Sequence, residues 1–574
     1  MLSSVSSFKA LTYFKLKAFS LFLTALFLGS FLIGCGGGSS SNNGVKTTPP
    51  PAAITDAATP IIADQPSNAS YAEGDAASNL SVTASVSDEG VLSYQWYKTA
   101  NPAENGSLIP DATNQTYEPS TLKVGTTYYY VVVANTNDNV DGKKTASATS
   151  SAAKIEVINK IKYTVNFYDT NLDLNYTTSI KEQEAIDLQQ LTADHTVPTH
   201  LYLANNSTDI SFDTSYIITV DTNFYALPNV QEIINQAQLD DIRDNLSGNY
   251  ILLNDIELNS TEDGFDTKGW MPIGAFSPSA PFTGIFNGNF NKITNIWVNR
   301  FPSYSFVGLF GVIKNAQIRN LGLEIAEGKK IEGYEYVGII AGNATSSNMT
   351  NVYSKGDVGG YRYIGGIAGS IGASSFVANS YSSGNVNGNY SYVGGITGLL
   401  DGGFITNSYS SANVNGSDSN IGGIAGGVNA GSSVTNTYSA GNIFGKGYVG
   451  GITGRVRSGG MVKYNAAINP SVNATMTDYY VNRIAGNIAI ASINNGDVSN
   501  NFALDDMSVG ITTAGGDGPA YHGIDKTADL LKQEAVYSDA VIDGGLGWKF
   551  GNNIDNPWKI DENNSYPYLY WQER

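Results

Sequence analysis

The chain has 574 residues, 51 acidic against 32 basic, and a net charge of −19, a balance that argues against nucleic acid or anionic lipid as partners of the folded body. Charged residues make up only 14% and hydrophobic ones 41%, with 63 glycines, so the composition is that of a β-rich globular chain of several domains, not a disordered one. A single cysteine, Cys35, excludes a disulfide framework.

Residues 1–34 read as an export signal. Lys9, Lys15 and Lys17 form a positive leading region, and the apolar run from Ala18 to Ile33 is short for a membrane span. The run ends in Leu32-Ile33-Gly34-Cys35, which resembles the lipobox of bacterial lipoproteins; the alternative is an ordinary signal peptide followed by a chance cysteine. That resemblance implies that Cys35 becomes the lipidated N-terminus and that acyl chains attach the protein to a membrane. Gly36 stands where an Asp would favour inner-membrane retention, so by analogy with enterobacterial sorting the outer membrane is expected. Residues 35–58, with GGGSSSNN and then TTPPPAA, read as a flexible tether that stiffens toward its end.

Residues 59–158 carry three strand patterns: Leu80–Val86, Leu92–Lys98 and Thr126–Asn135. The strings LSYQWYK and TYYYVVVAN resemble two core strands of an immunoglobulin-like β-sandwich with Trp96 as its central tryptophan. Ala84 and Val131 stand where antibody domains place their cysteines, which implies apolar packing in place of the bridge. Asn137-Asp-Asn-Val-Asp-Gly142 has the opening spacing of a calcium loop, but the twelfth position is Ala148 where a bidentate acid is needed, so a polar hairpin turn is expected. Residues 159–227 read as a small β domain, faintly similar to small β repeats of bacterial surface proteins.

From 228 to 574 a single architecture is expected, a coil of β-strands. Val230, Ile233, Ile234, Ala237, Leu239, Ile242 and Leu246 lie at helical spacing and predict an amphipathic helix covering the open first turn of that coil. Residues 228–305 would form this cap and the lead-in coils. Then one phrase recurs from Tyr336, Tyr363, Tyr392, Asn420 and Tyr448 (YVGIIAG, YIGGIAG, YVGGITG, NIGGIAG, YVGGITG), answered by NVYSKGDV, NSYSSGNV, NSYSSANV and NTYSAGNI. The period of 27 to 29 residues is that of a solenoid. Short β-branched runs cut by Gly and Asn-Gly make its units strands and turns.

One coil per repeat predicts that Ile and Val stack inward, together with Tyr353, Tyr381, Tyr409 and Tyr438. Asn351, Asn379, Asn407 and Asn436 would form a hydrogen-bonded amide column. The glycines are expected at corners of positive φ.

VGGITG and NSYSSGNV resemble the two halves of the GLUG repeat, a resemblance that is good from about Phe306 to Gly454 and degenerate toward 490. It implies a right-handed parallel β-helix in a secreted or surface-attached bacterial protein. Residues 306–490 would be the repeats and 491–574 a C-terminal cap, with Trp548, Trp558 and Tyr566–Trp571 plugging the last coil. The fold class expected for the whole is all-β and multidomain.

Little in the repeats looks catalytic. Between Asn351 and Gly454 the charged residues are Lys355, Asp357, Arg362, Asp401, Asp418 and Lys446, and a glycosidase pair of Asp401 with Asp418 has no support beyond their being carboxylates. No HExxH, nucleophile elbow or P-loop occurs, and Asp194, His195 and His200 read as a solvated loop. No catalytic residue, metal ligand or cofactor is expected. The expectation is a non-enzymatic, lipid-anchored surface protein that binds a glycan or a cell-surface protein through its solenoid; the alternatives are a polysaccharide-active enzyme on the same coil and a passive envelope spacer.

Overall fold

The computed structural model describes residues 55–181, 185–186, 200–205, 216–274, 280–476, 480–510, 518–538 and 545–573. The signal, Cys35, most of the tether, Asp194 and His195 lie outside the described residues. The chain divides after Asn159 into two compact units.

In the first unit the strand Val91–Thr99 pairs antiparallel with Gly125–Thr136, which also pairs with Thr145–Thr149 and Ala153–Ile158. Alternation works as the sequence implies, because successive side chains point to opposite faces. Tyr129, Val131 and Val133 are buried around a fully buried Trp96. Trp96 faces Val131 in register, and its indole N–H donates to the carbonyl of Asn114 at 2.9 Å. Asn137–Gly142 is the turn between the strands Gly125–Thr136 and Thr145–Thr149, where Asp141 accepts the backbone N–H of Thr55 at 2.8 Å.

The second unit contains both the small sheet and the solenoid. Lys162–Tyr168, Leu174–Lys181, Tyr202–Leu203 and Thr222–Tyr225 form one four-stranded sheet. Tyr168, Leu172 and Tyr225 share a core with Val230 and Ile251. Asn287 donates to the carbonyl of Leu172 at 2.6 Å, and Arg319 pairs with Asp173 at 2.7 Å. The small sheet is thus part of the solenoid's compact unit.

The solenoid is a parallel β-helix with three sheets. One runs from Val230–Ile233 to Ile524–Lys526, a second includes Lys330–Gly338, Asp357–Gly365 and their successors, and a third has seven strands from Phe310–Lys314 to Ala485–Ile488. Equivalent residues of successive coils stand in register: Val337, Ile364, Val393, Ile421, Val449 and Val481 form one column, each fully buried. Val358, Val386, Val414, Ile443 and Val472 form another. Side chains of like shape stack because every coil repeats the path of the one before, so each buries its apolar face against its neighbours.

Three expectations are corrected. The helical pattern from Val230 does not run as one helix. Val230–Ile233 is a strand, parallel to Asn249–Leu252, and only Gln236–Asp240 is α-helical, followed by a 3₁₀ turn at Asp241–Asp244. β-branched residues offered a free parallel edge take the strand, and Asn235 then starts the helix by accepting the N–H of Gln238. Leu239 and Ile242 are buried in the solenoid core, as the pattern required.

Corners of positive φ are made by repeat glycines only in part: Gly356 and Gly384 of the answering phrase have φ of 129° and 111°, and Gly402, Gly431 and Gly459 in the turns have φ of 84°, 74° and 79°. The other corners are taken by Asn351, Asn379, Asn407 and Asn436 and by Tyr336, Tyr363, Tyr392, Asn420 and Tyr448, with φ between 46° and 67°. Asn tolerates this region better than most residues; for the tyrosines, ring stacking between successive coils compensates. The glycines of the first phrase serve close approach instead. A Cβ on Gly395 would lie 2.1 Å from the carbonyl oxygen of Gly423 and 2.2 Å from Ser410 Oγ.

The C-terminal aromatics do not plug the last coil. Trp548 donates to the carbonyl of Tyr464 at 2.8 Å and Trp571 to that of Asn379 at 2.9 Å. The segment therefore runs back along the flank of the solenoid as a strap. Short helical turns at Leu530–Lys532 and Glu534–Ser538 precede it, with Leu531 and Tyr537 buried.

Candidate functional site

Two tyrosine ladders run along the solenoid, one in the sheet that begins at Val230 and one in the sheet that includes Lys330–Gly338. The first is Tyr353, Tyr381, Tyr409 and Tyr438, in register on successive coils, with ring centroids 5.1, 5.0 and 4.7 Å apart and planes within 5° of parallel. These rings do not point inward with the Ile and Val columns. In the strand Asn348–Lys355 the positive-φ bend at Asn351 sends Val352 and Ser354 into the core and leaves Tyr353 half-buried on the outside.

What buries the rest is the strap. Tyr409 and Tyr438 are 9% and 5% exposed. Tyr438 donates to the carbonyl of Pro567 at 2.8 Å, Gln572 donates to the hydroxyl of Tyr409 at 2.7 Å, and Trp571 packs against Tyr353 and Tyr381. Loss of water around the phenols disfavours phenolate and raises the pKa of Tyr409 and Tyr438. Tyr353 is raised mainly by burial, and further by the carboxylate of Glu324, to which its hydroxyl donates at 3.0 Å.

The second set stays open to solvent. Tyr334, Tyr361 and Tyr390 stack at 5.0 and 5.1 Å with planes within 8° of parallel, and Tyr334 and Tyr390 are 37% and 41% exposed. Phe306, Tyr336, Tyr363 and Tyr392 form a parallel row two residues further along each strand, at 4.9, 4.7 and 5.2 Å. Arg362, between the two rows in sequence, pairs with Glu335 at 2.9 Å and lies 4.6 Å over the Tyr363 ring. Such a stripe takes up its ring faces in stacking and presents edges and hydroxyls at a spacing of about one coil, flanked by the guanidinium groups of Arg362 and of Arg457, which donates to the Tyr392 hydroxyl at 3.0 Å.

The asparagine column is present but not continuous. Asn351 donates to Asn320 at 2.8 Å and Asn436 to Asn407 at 3.4 Å, while the side-chain carbonyls of Asn351 and Asn379 have no hydrogen-bond partner among the described residues. A buried hydroxyl column beside it went unread in the sequence. Ser380 Oγ accepts the N–H of Val352, Ser408 Oγ that of Ser380, and Asn465 Oδ1 that of Thr437. The signal was the serine after Asn in NSYSS, whose recurrence in a core strand already implied a partner.

Asp401 and Asp418 stand in separate turns, each tied to the next or preceding coil: Asn429 donates to Asp401 at 2.8 Å and Ser391 to Asp418 at 3.0 Å. Among the described residues no three His, Cys, Asp or Glu gather as metal ligands, and no helix is long and apolar enough to cross a membrane.

No family model matches the chain. Over 95 residues it is 35% identical to halomucin of Haloquadratum walsbyi, covering 16% of this chain and 1% of that protein. Over 90 residues it is 40% identical to a protein of Evansella cellulosilytica provisionally named a Gly-rich membrane protein, covering 15% of this chain and 10% of that one. The chain thus spans a small part of either relative. A crystal structure from Bacteroides ovatus, provisionally assigned as an immunoglobulin A1 protease, matches with a TM-score of 0.38 and 21% identity over 59% of this chain and 92% of that one. A likeness at that score carries no argument about this chain's chemistry.

Proposed function

We propose that this chain is a surface-exposed outer-membrane lipoprotein, anchored by acyl chains on Cys35, that binds glycans or a cell surface without catalysis through its β-helix. The solenoid is read as a GLUG-type repeat and the first unit as an immunoglobulin-like spacer between it and the membrane. The observation that carries the binding reading is the open ladder of Tyr334, Tyr361 and Tyr390. Exposed ring edges and hydroxyls repeated along a rigid axis suit a polymer of sugar rings, each contact contributing weakly and the row multiplying the effect. Acid–base chemistry instead needs titratable groups converging on one atom, and Asp401 and Asp418 are each occupied by a neighbouring coil.

The test uses cells displaying the full protein. Tyr334→Ala, Tyr361→Ala and Tyr390→Ala together should abolish attachment to host or sibling cells and binding on a glycan array while leaving the β circular dichroism intact. Undiminished attachment would sink the ladder as the binding surface. Release of sugars from a polysaccharide panel by the purified protein would replace the reading with that of an enzyme.

A further inference from the structure

The covered ladder ends abruptly. Coil by coil, its positions are held by Tyr438, Tyr409, Tyr381 and Tyr353, then by Gly322 in register with Tyr353, then by Lys292 in register with Gly322. At Gly322 a rung is missing. The Tyr353 ring reaches over this glycine so closely that a Cβ there would fall 2.3 Å from its Cε1, so only glycine admits the ring in this position. Tyr353, stacked on Tyr381, borders with it a cavity of about 310 Å³ that Gly322, Lys292, Asp255 and Phe290 also line. The C-terminal strap supplies one wall through Trp571 and Gln572.

Such a volume is that of a small-molecule site, and its chemistry is uneven in a particular way. The rings of Tyr353 and Trp571 supply its aromatic surface, against which the C–H face of a guest can lie. Around it are the amides of Asn320, Asn351 and Gln572, the ammonium of Lys292 and the carboxylate of Asp255, which accepts the backbone N–H of Lys292 at 2.9 Å; outside the lining, Glu324 pairs with the same ammonium at 3.5 Å. With Asp255 in the lining and the Lys292 ammonium already paired with Glu324, an anionic ligand is disfavoured. A flat aromatic guest would find polar groups at its edges that it could not satisfy, whereas a pyranose offers C–H faces for the phenol and hydroxyls for the rim.

We infer that the cavity beside Gly322, walled by the aromatic rings of Tyr353 and Trp571 and rimmed by Asp255, Lys292 and Gln572, is a binding site for a single neutral pyranose residue. The site deepens the glycan-binding reading and rests on it for taking a saccharide as ligand, but it lies on a different sheet from the open ladder. Its occupancy depends on the strap, which completes the wall.

Saturation-transfer NMR on the purified full chain tests it, with the methyl pyranosides of glucose, galactose, mannose and N-acetylglucosamine, and methyl glucuronide as the anionic control. Transfer to the C–H protons of at least one neutral pyranoside is expected, with the glucuronide weaker. Gly322→Tyr puts a side chain where the Tyr353 ring now lies, displaces that ring into the cavity and should abolish the signal. Tyr353→Leu keeps apolar volume but removes the flat face, and should weaken binding by about tenfold; it provides the reading should Gly322→Tyr disturb folding. Wild-type binding retained in a folded Gly322→Tyr and in Tyr353→Leu would overturn this site while leaving glycan binding at the open ladder standing. No transfer to any neutral pyranoside, or preference for the glucuronide, would overturn it as well. The array result for the triple variant of the open ladder decides the broader reading independently.

Discussion

The two tyrosine ladders are built from the same residue, at the same coil spacing, on the same solenoid, yet one is sealed and the other open. Tyr409 and Tyr438 are nearly inaccessible, while Tyr334 and Tyr390 keep more than a third of their surface in water. Nothing local separates them, because stacking at about 5 Å is common to both. The difference is made by Trp571 and its neighbours, which reach back to Asn379 from 192 positions further along the chain. A repeat can therefore generate identical rows, and a segment outside the repeat decides which row becomes core and which becomes surface.

Breaking the strap should have the largest effect. Trp571→Ala removes a buried indole that packs on Tyr353 and Tyr381, and should cost about 3–5 kcal/mol. Equilibrium denaturation would measure it, and a loss no greater than that of an exposed ladder residue would erase the distinction between the rows. Alkaline titration sharpens the same contrast. Tyr409 and Tyr438 have raised pKa values through burial, so above about pH 10 the folded chain holds protons that the unfolded chain has released. Stability is then full below that pH and falls as pH rises toward the folded values. Their phenolate ultraviolet band should appear only with unfolding, and earlier in Trp571→Ala.

Gly395→Val places side-chain atoms against the Gly423 carbonyl and Ser410. It should cost about 1–3 kcal/mol, read as a lower thermal midpoint, although it touches neither ladder. Deleting residues 393–420 should instead leave a folded, shorter solenoid with β circular dichroism retained, since each coil touches only its neighbours; it removes Tyr409 from the covered row and shortens the distance the strap must span. The smallest effect is expected from Tyr361→Ala on the open row, below about 1 kcal/mol.

Cys35→Ser tests the proposed lipid anchor alone: on that reading it should abolish lipidation and detergent-phase partitioning without altering either ladder, and partitioning equal to the wild type would refute the lipoprotein reading.

Much of this architecture was readable in the chain. The recurrence of Val337, Ile364, Val393, Ile421 and Val449 determines one buried column, because a parallel coil of constant length must bring equivalent residues into register. Trp96 and the alternation of Gly125–Thr136 likewise determine the core of the first unit. Periodicity misled where a competing partner existed: Val230–Ile233 fits a helix by spacing but pairs with Asn249–Leu252, because a free parallel strand edge satisfies backbone groups along a whole segment.

Only the tertiary structure decided which way the Tyr353 column faces, since the answer depends on a positive φ at Asn351 that reverses the inside–outside alternation after it. It also decided that Gly322 interrupts that column and that Trp571 packs on Tyr353 beside it. Neither was legible in the repeats: Gly322 precedes the clear phrases and Trp571 comes after them, and a contact between residues so far apart in the chain leaves no periodic trace.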